Sequence, residues 1–366
     1  MLVIEQDVAL QLASGNFDCL FLDSWLEREA VVARAGLQKG AVAGAVSADG
    51  KPLYWYSEIA GYYLSYLASR AANSLENQVC LKQLSVLVAS YQEKIWSTSV
   101  APLTRAYTPS HTFDWRNQGL FLFDIAMLLR GLADTHELRG SNSWDGHSVV
   151  AHLEHFFTDT HKLLPVHWHC SEPRDVPARW STQSGPYQLK IVAALLIFAR
   201  RFELTELEEK VLKAGKLLSQ EFNENNFAAH NAHSICYALE GALLLKNELP
   251  LDLHIGKKWI ENLAEAAFSK STNVQLETNR SDVAAQLLRL CCCEPYANLP
   301  LAEKLELLLK SGIDSDGGVT VQTISTAGNP HKNTWTTLFA RQALDLYAQV
   351  LDSKSELPFH HYRHLF

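Results

Sequence analysis

Residues 185–222 read GPYQLKIVAALLIFARRFELTELEEKVLKAGKLLSQEF, and the contrast between the two halves decides the fold. Up to Arg201 the stretch is small or apolar on almost every side. From Leu204 onward, charged residues surround an apolar stripe of Leu207, Val211, Ala214 and Leu218 at helical spacing. A helix that is apolar all round must be buried, whereas one with a single apolar stripe can face solvent. Only Phe202 and Glu203 separate the two, so they fold back as the inner and outer helix of one hairpin.

The same alternation runs the length of the chain. Charged, amphipathic segments occupy roughly 20–35, 75–97, 143–162, 204–222, 252–269 and 298–312. Segments richer in small and apolar residues occupy roughly 57–69, 119–134, 185–201, 232–246, 281–293 and 333–350. Six outer helices enclosing six inner ones is the packing this predicts: an all-α toroid of six helical hairpins. Links from inner to outer helix are short, as at Asn73-Ser74 and Asn247–Pro250, while links from outer to inner helix are mostly long, at 36–56, 98–118, 163–184 and 313–332. In an antiparallel alternation the long links all fall on one face, and long ordered loops carry function where a structural joint needs only a few residues. The toroid is therefore expected to have one elaborate mouth, with short strands in its loops. An open α-solenoid would show a fixed repeat period, and none is visible.

At 366 residues the chain exceeds the usual ~100–200 of one domain, yet no Pro/Gly/Ser-rich linker or run of like charge divides it, so residues 1–366 read as a single domain. Hydrophobic residues make up 47% and charged residues 20%, enough for a sizeable core. A net charge of −8 with no basic cluster excludes a nucleic-acid groove. Seven cysteines, three of them the run Cys291-Cys292-Cys293, form no disulfide framework and fit a reducing compartment. Glu5 and Asp7 stand where a signal peptide carries basic charge, and no apolar run is long enough for membrane insertion. A cytoplasmic protein is the expectation. The sequence has no P-loop, dinucleotide fingerprint or serine elbow, so no cofactor is expected, and it does not fix the oligomeric state.

Four stretches, HSICYALEGALL (233–244), SDVAAQLLRL (281–290), DGGVTV (316–321) and HKNTWTTLFARQAL (331–344), carry a resemblance. The chain resembles the (α/α)6 superfamily of six-hairpin glycosidases and N-acylglucosamine 2-epimerase-like proteins, and most nearly a bacterial branch associated with polysaccharide biosynthesis. That resemblance implies an (α/α)6 toroid and a saccharide ligand. Resemblance to the 2-epimerases further implies a histidine pair acting as acid and base on the sugar C2 proton. His233 and His331 are the matching positions, although the glycine that usually precedes the first histidine is Ala232 here.

Polar residues on the inner helices share one face each: Glu58, Tyr62 and Ser65; His233, Tyr237 and Glu240; Asp282, Gln286 and Arg289; Asn333, Thr337 and Arg341. Either they bind one another across the toroid axis or they line a wet axial cavity. Glycoside cleavage needs two carboxyl groups, one protonated and one ionised. Glu58, Asp114 and Asp282 lie at inner-helix starts and are the candidates, with Asp282 equally readable as a capping residue. Asp124 reads as a core hydrogen-bonding residue. Trp55, Trp115, Trp168, Trp180 and Trp335 concentrate, with Tyr54, Tyr56 and Tyr187, in the long links or at inner-helix starts. Flat rings with polar edges suit the faces of sugars, although the same rings could plug the loop face. The expected substrate contacts are Trp55, Tyr56, Trp115, Arg116, Trp180, Tyr187, Glu240, Arg280 and Trp335. His167-Trp168-His169-Cys170 lacks the second half of a zinc site, so no metal is expected. Asp314-Ser315-Asp316-Gly317-Gly318 reads as a turn into a short strand. Three functions stay open: glycoside cleavage by carboxylates, sugar 2-epimerisation or isomerisation by His233 and His331, and saccharide binding without catalysis in polysaccharide assembly.

Overall fold

The computed structural model describes residues 17–28, 31–73, 78–98, 105–107, 115–140, 143–224, 231–268, 280–321 and 331–353. Its longer helices, in chain order, are α1 (Phe17–Leu26), α2 (Ser57–Asn73), α3 (Gln78–Thr98), α4 (Leu122–Asp134), α5 (Gln188–Arg201), α6 (Thr205–Asn223), α7 (Ala232–Leu245), α8 (His254–Phe268), α9 (Ser281–Cys291), α10 (Leu299–Lys310) and α11 (Thr334–Ser353). Helices α2, α4, α5, α7, α9 and α11 form the inner ring, each packed on the next, and α11 closes back on α2. Their burial is close to complete: every residue of α9 from Ser281 to Cys291 is buried. The amphipathic α1, α3, α6, α8 and α10 pack outside them.

Local chemistry ends the helices where the hairpins need them to end. After α5, Glu203 takes a left-handed conformation with φ of 55°. The Leu204 N–H then donates back to the Ala199 carbonyl at 2.9 Å, the six-to-one bond that stops a helix and turns the chain. Asn231 caps α7 by accepting from the Ser234 N–H at 3.0 Å, and Asn298 caps α10 through the Leu301 N–H at 3.2 Å.

The third outer position departs from expectation. In place of one helix over 143–162 there are two short turns, His147–Val150 and Leu153–Phe156. Gly146, at φ of 90°, opens the first. Phe157 then leaves helical geometry and bridges Leu163 across a turn in which His161 sits at φ of 63°. The second inner helix also starts later than 119, because Gly119–Phe121 is strand β4 and pairs with β5, Val166–Trp168.

The other strands are β1 (Ala43–Val46), β2 (Pro52–Tyr56), β3 (Arg105–Tyr107) and β6 (Lys332–Asn333), in the sheet order β3-β2-β1-β6. Every strand lies in or beside a long link, so the two sheets knit the loops of the mouth together. The Asp314–Gly318 segment is the expected turn: the Asp314 N–H donates to the Gly318 carbonyl, and Ile313 bridges Val319 beyond it. No helix among the described residues is long and apolar enough to cross a membrane.

Close approach of backbones sets the register of the ring. A Cβ placed on Gly61 of α2 would meet the Met127 carbonyl oxygen of α4 at 2.2 Å, and one on Gly131 would meet the Gly61 carbonyl oxygen at the same distance. Gly241 of α7 is pressed equally close, 2.4 Å from the Lys190 N of α5. No flexible side chain at these contacts can yield. Gly61→Ala is expected to destabilise the fold by roughly 1–3 kcal/mol through overpacking. A urea unfolding midpoint matching that of the unaltered protein would show that α2 and α4 can separate freely.

Candidate functional site

A cavity of about 260 Å³ lies where the inner helices begin. Glu58 and Ile59 reach it from the first turn of α2, Asp124 from α4, His233 and Tyr237 from α7, and Trp335 from α11, with Arg280 placed just before α9. The long links complete the wall: Tyr56 from the first, Arg116 and Phe121 from the second, Arg179, Trp180 and Ser181 from the third, and Val321 from the last. Five of the six inner helices present their N-terminal ends to this cavity and so run parallel, and the links that line it share one face. The elaborate mouth expected from link lengths is therefore present.

The close contact of α2 with α4 brings two carboxylates to the mouth end of one helix pair. Gly61 abuts Met127, so one turn towards the mouth on each helix arrives at Glu58 and Asp124. Glu58 is half-buried and Asp124 is buried. Asp124 Oδ2 accepts a hydrogen bond from the Tyr56 hydroxyl at 2.9 Å.

Across the cavity Asp282 acts as a hub rather than a cap. Arg280 holds it at both oxygens, with Nε to Oδ1 at 2.9 Å and Nη2 to Oδ2 at 2.5 Å, and Trp335 Nε1 donates to Oδ2 at 3.2 Å. Of the backbone it takes the adjacent Val283 N–H at 3.0 Å. Burial works against its ionisation. The Arg280 guanidinium, His233 and these donors outweigh burial and hold the carboxyl well below the usual carboxylate range.

His233 Nδ1 lies 2.7 Å from Gln286 Oε1 and 3.5 Å from Asp282 Oδ2. Two acceptors converge on that nitrogen, so it carries the ring proton and Nε2 keeps the lone pair. Burial lowers the imidazole to about 4, with Asp282 opposing and Arg280 assisting. An unfolded histidine protonates near 6.5. Between those values the unfolded chain therefore binds more protons than the native one, and stability falls as the pH drops through this window. The contribution at stake is on the order of 3 kcal/mol. Unfolding midpoints measured from pH 7 to 4 should decline, and His233→Asn should remove this part of the decline. A His233→Asn profile parallel to that of the unaltered protein would contradict a buried neutral ring.

Beneath the mouth several residues of the polar stripes pair across the axis. Tyr62 and Tyr237 join hydroxyls across the axis at 2.9 Å. Two turns below His233, about 10 Å along the axis, Glu240 bonds Lys190 Nζ at 3.1 Å and Arg289 Nη2, with all three side chains almost wholly buried. Arg289 also donates to Gln342 at 2.7 Å and lies 4.2 Å from the centre of the Phe339 ring. The stripes thus bind one another at depth and line a cavity at the top.

Several expected residues take other places. Trp55 and Tyr56 are neighbours in β2 and point to opposite faces, so Tyr56 reaches the cavity while Trp55 enters the core. Trp115 is not in the lining; it stands edge-on behind Phe121 at 5.6 Å, with the Arg116 guanidinium 4.6 Å above its ring. Tyr187 is buried behind Trp180 at 5.0 Å and supports it. Glu240 lies below the cavity. His331 is exposed and is not among the described residues that line the cavity. Asp114 falls outside the described residues. Asp124, Arg179, Tyr237 and Phe121, which the sequence did not single out as substrate contacts, do line the cavity. The strand-like GLF before Leu122 is the signal that moves Asp124 to the first turn of α4. Trp180 stands edge-on to Phe123 at 5.3 Å and to His233 at 5.8 Å. Among the described residues no three His, Cys, Asp or Glu side chains are grouped to hold a metal; His155 and His167 stack face to face at 4.2 Å.

No protein-family model matches the chain, and no curated protein matches it in sequence. Solved structures do match in shape. A D-mannose isomerase matches at a TM-score of 0.64 and 11% identity over 91% of this chain and 96% of its own. A cellobiose 2-epimerase from Spirochaeta thermophila DSM 6192 matches at 0.65 and 12%, over 95% and 98%. An unsaturated glucuronyl hydrolase specific for heparin matches at 0.58 and 10%, over 96% and 99%. Such low identities show the fold alone: the chain is an (α/α)6 toroid, an architecture on which sugar isomerases, epimerases and glycoside hydrolases are built.

Proposed function

We propose that the protein is a carbohydrate-active enzyme that cleaves a glycosidic bond at the mouth of the toroid, with Glu58 and Asp124 as its paired carboxyl groups. The observation that carries this reading is the meeting of these two residues, from adjoining inner helices, in the lining of one cavity. Tyr56 orients Asp124 through its hydroxyl, which suits a base or nucleophile, and Glu58 takes the acid role. Asp282 is committed to Arg280 and has no proton to give near neutrality. Trp180 and Trp335 offer rings to a sugar, and the cavity volume has room for a single sugar unit. A role in bacterial polysaccharide metabolism, in the cytoplasm, rests on the resemblance of the C-terminal stretches and on the sequence reading.

One observation favours a second reading. His233 lines the cavity as a neutral ring with a lone pair on Nε2, the state that removes a proton beside a carbonyl. Its expected partner His331 is exposed and outside the lining, so an epimerase would need a carboxylate in its place.

The two chemistries separate in deuterium oxide. The protein is incubated with a panel of oligosaccharides and free sugars and followed by proton NMR. New reducing ends without deuterium at C2 are expected. Deuteration at C2 of a free sugar without cleavage overturns the proposal in favour of the epimerase, and binding without either change overturns it in favour of a non-catalytic role.

A further inference from the structure

We propose that Gln286 is a positioning residue: its side-chain oxygen fixes the proton of His233 on Nδ1 and so presents Nε2 to the bound sugar as an acceptor for an unsubstituted hydroxyl. The sugar half of this rests on the saccharide reading above; the state of the ring does not. Asp282 and Gln286 stand one turn apart on α9, so the imidazole of α7 meets two successive turns of that helix. Gln286 Oε1 is the nearer acceptor, at 2.7 Å from Nδ1 against 3.5 Å for Asp282 Oδ2. Asp282 Oδ2 already accepts from Arg280 and Trp335. Its charge still decides which way the Gln286 amide lies. A lone pair on Nδ1 would face a carboxylate oxygen, whereas an N–H there is drawn to both groups. Trp180 and Tyr237 stand against the ring, at 5.8 and 4.4 Å between centres, and confine it.

The amide is kept at a cost to folding. Gln286 is fully buried, and its Nε2 has no hydrogen-bond partner among the described residues. A buried donor left without a partner destabilises a fold, and an apolar side chain of the same size would not carry that penalty. Packing therefore gives no reason for an amide at this position, whereas its oxygen has a specific use. The choice of an amide over a carboxylate is equally informative. Gln286→Glu would favour a second proton on the ring and turn Nε2 into a donor. A neutral oxygen holds the Nδ1 proton and leaves the ring uncharged. The ring lines the cavity, and no described residue bonds Nε2, so its lone pair is open to a ligand. A sugar hydroxyl can donate to it; an ether or deoxy position cannot.

Nitrogen NMR of the whole chain with isotopically labelled histidine, recorded well above the titration of the ring, reads the tautomer directly. His233→Asn identifies the signals of His233 among the 15 histidines. The Nδ1–H form is expected. Gln286→Met, close in size but without an oxygen, should bring in the Nε2–H form, while its urea unfolding midpoint stays level or rises because the orphaned donor is gone. Gln286→Glu restores an oxygen and should return the proton to Nδ1. On the panel oligosaccharide that the unaltered protein cleaves, Gln286→Met should raise KM by about two- to tenfold, the scale of one hydrogen bond, with kcat nearly unchanged. The Nε2–H form in the unaltered protein, or an unchanged ring spectrum in Gln286→Met, would overturn the inference. A marked fall in the unfolding midpoint would overturn it too, by making Gln286 a packing residue. An altered ring with an unchanged KM would overturn its sugar half. If no panel sugar is cleaved, the cleavage reading fails, and the ring spectra, which need no ligand, still decide the role of Gln286.

Discussion

Glu58→Gln and Asp124→Asn are each expected to lower turnover of a cleavable saccharide by roughly 100- to 10,000-fold, the usual cost of removing an acid or base. The loss should fall on kcat, because both groups act on the bond being broken, while Trp180, Trp335 and the arginines hold the rest of the sugar. Gln at position 58 keeps the hydrogen-bonding outline but has no proton to transfer to a leaving oxygen. Asn at position 124 still accepts from Tyr56 but has no charge to offer the developing oxocarbenium ion. His233→Asn removes a group that contributes shape and a neutral lone pair, so its effect on cleavage should be smaller and fall mainly on KM. The check is steady-state kinetics of the three variants on one substrate. The reverse order, with His233→Asn abolishing turnover and Glu58→Gln nearly silent, would transfer the chemistry to the imidazole.

The second large effect concerns stability. Glu240→Ala is expected to destabilise the protein by about 3–5 kcal/mol, because it removes the buried carboxylate that Lys190 and Arg289 share. The strain on the network is already visible at Lys190, where burial outweighs the attraction of Glu240 and lowers the ammonium to about 8. The exposed pair Lys210–Glu154, at 2.8 Å, provides the contrast: Glu154→Ala should cost no more than about 1 kcal/mol. Urea unfolding of both variants tests this. Similar small shifts would mean that the axial ions are hydrated rather than sealed.

The hairpin order was legible because burial demands differ between the two rings. A run such as Ile191–Ala199 has no polar face to show water, while α6 has one on every turn. Link lengths then placed the mouth. The third outer helix was misread because its apolar residues are spaced as in a helix, whereas its geometry is governed by Gly146, by the Phe157–Leu163 bridge and by β5, all set by tertiary pairing. The site was half legible. Periodicity assigned polar residues to inner faces, yet it could not say that Glu240 lies two turns below the mouth in an ion network, or that Trp55 faces away from Tyr56's cavity. Asp124 is the buried hydrogen-bonding residue expected, but three residues of strand in front of α4 place it in the first turn of the helix, at the cavity. That placement depends on the pairing of Gly119–Phe121 with Val166–Trp168, more than forty residues away in the chain, which no local pattern reveals.

The most direct measurement is a crystal structure of Glu58→Gln protein soaked with a saccharide that the unaltered protein cleaves. With the chemistry assigned to the mouth carboxylates, the glycosidic oxygen should lie within about 2.6–3.2 Å of the side chain at position 58, with the anomeric carbon facing Asp124 and a sugar ring against Trp180 or Trp335. A sugar seated with C2 against His233 Nε2 and its glycosidic bond remote from both carboxyl positions, or bound away from the mouth altogether, would contradict it.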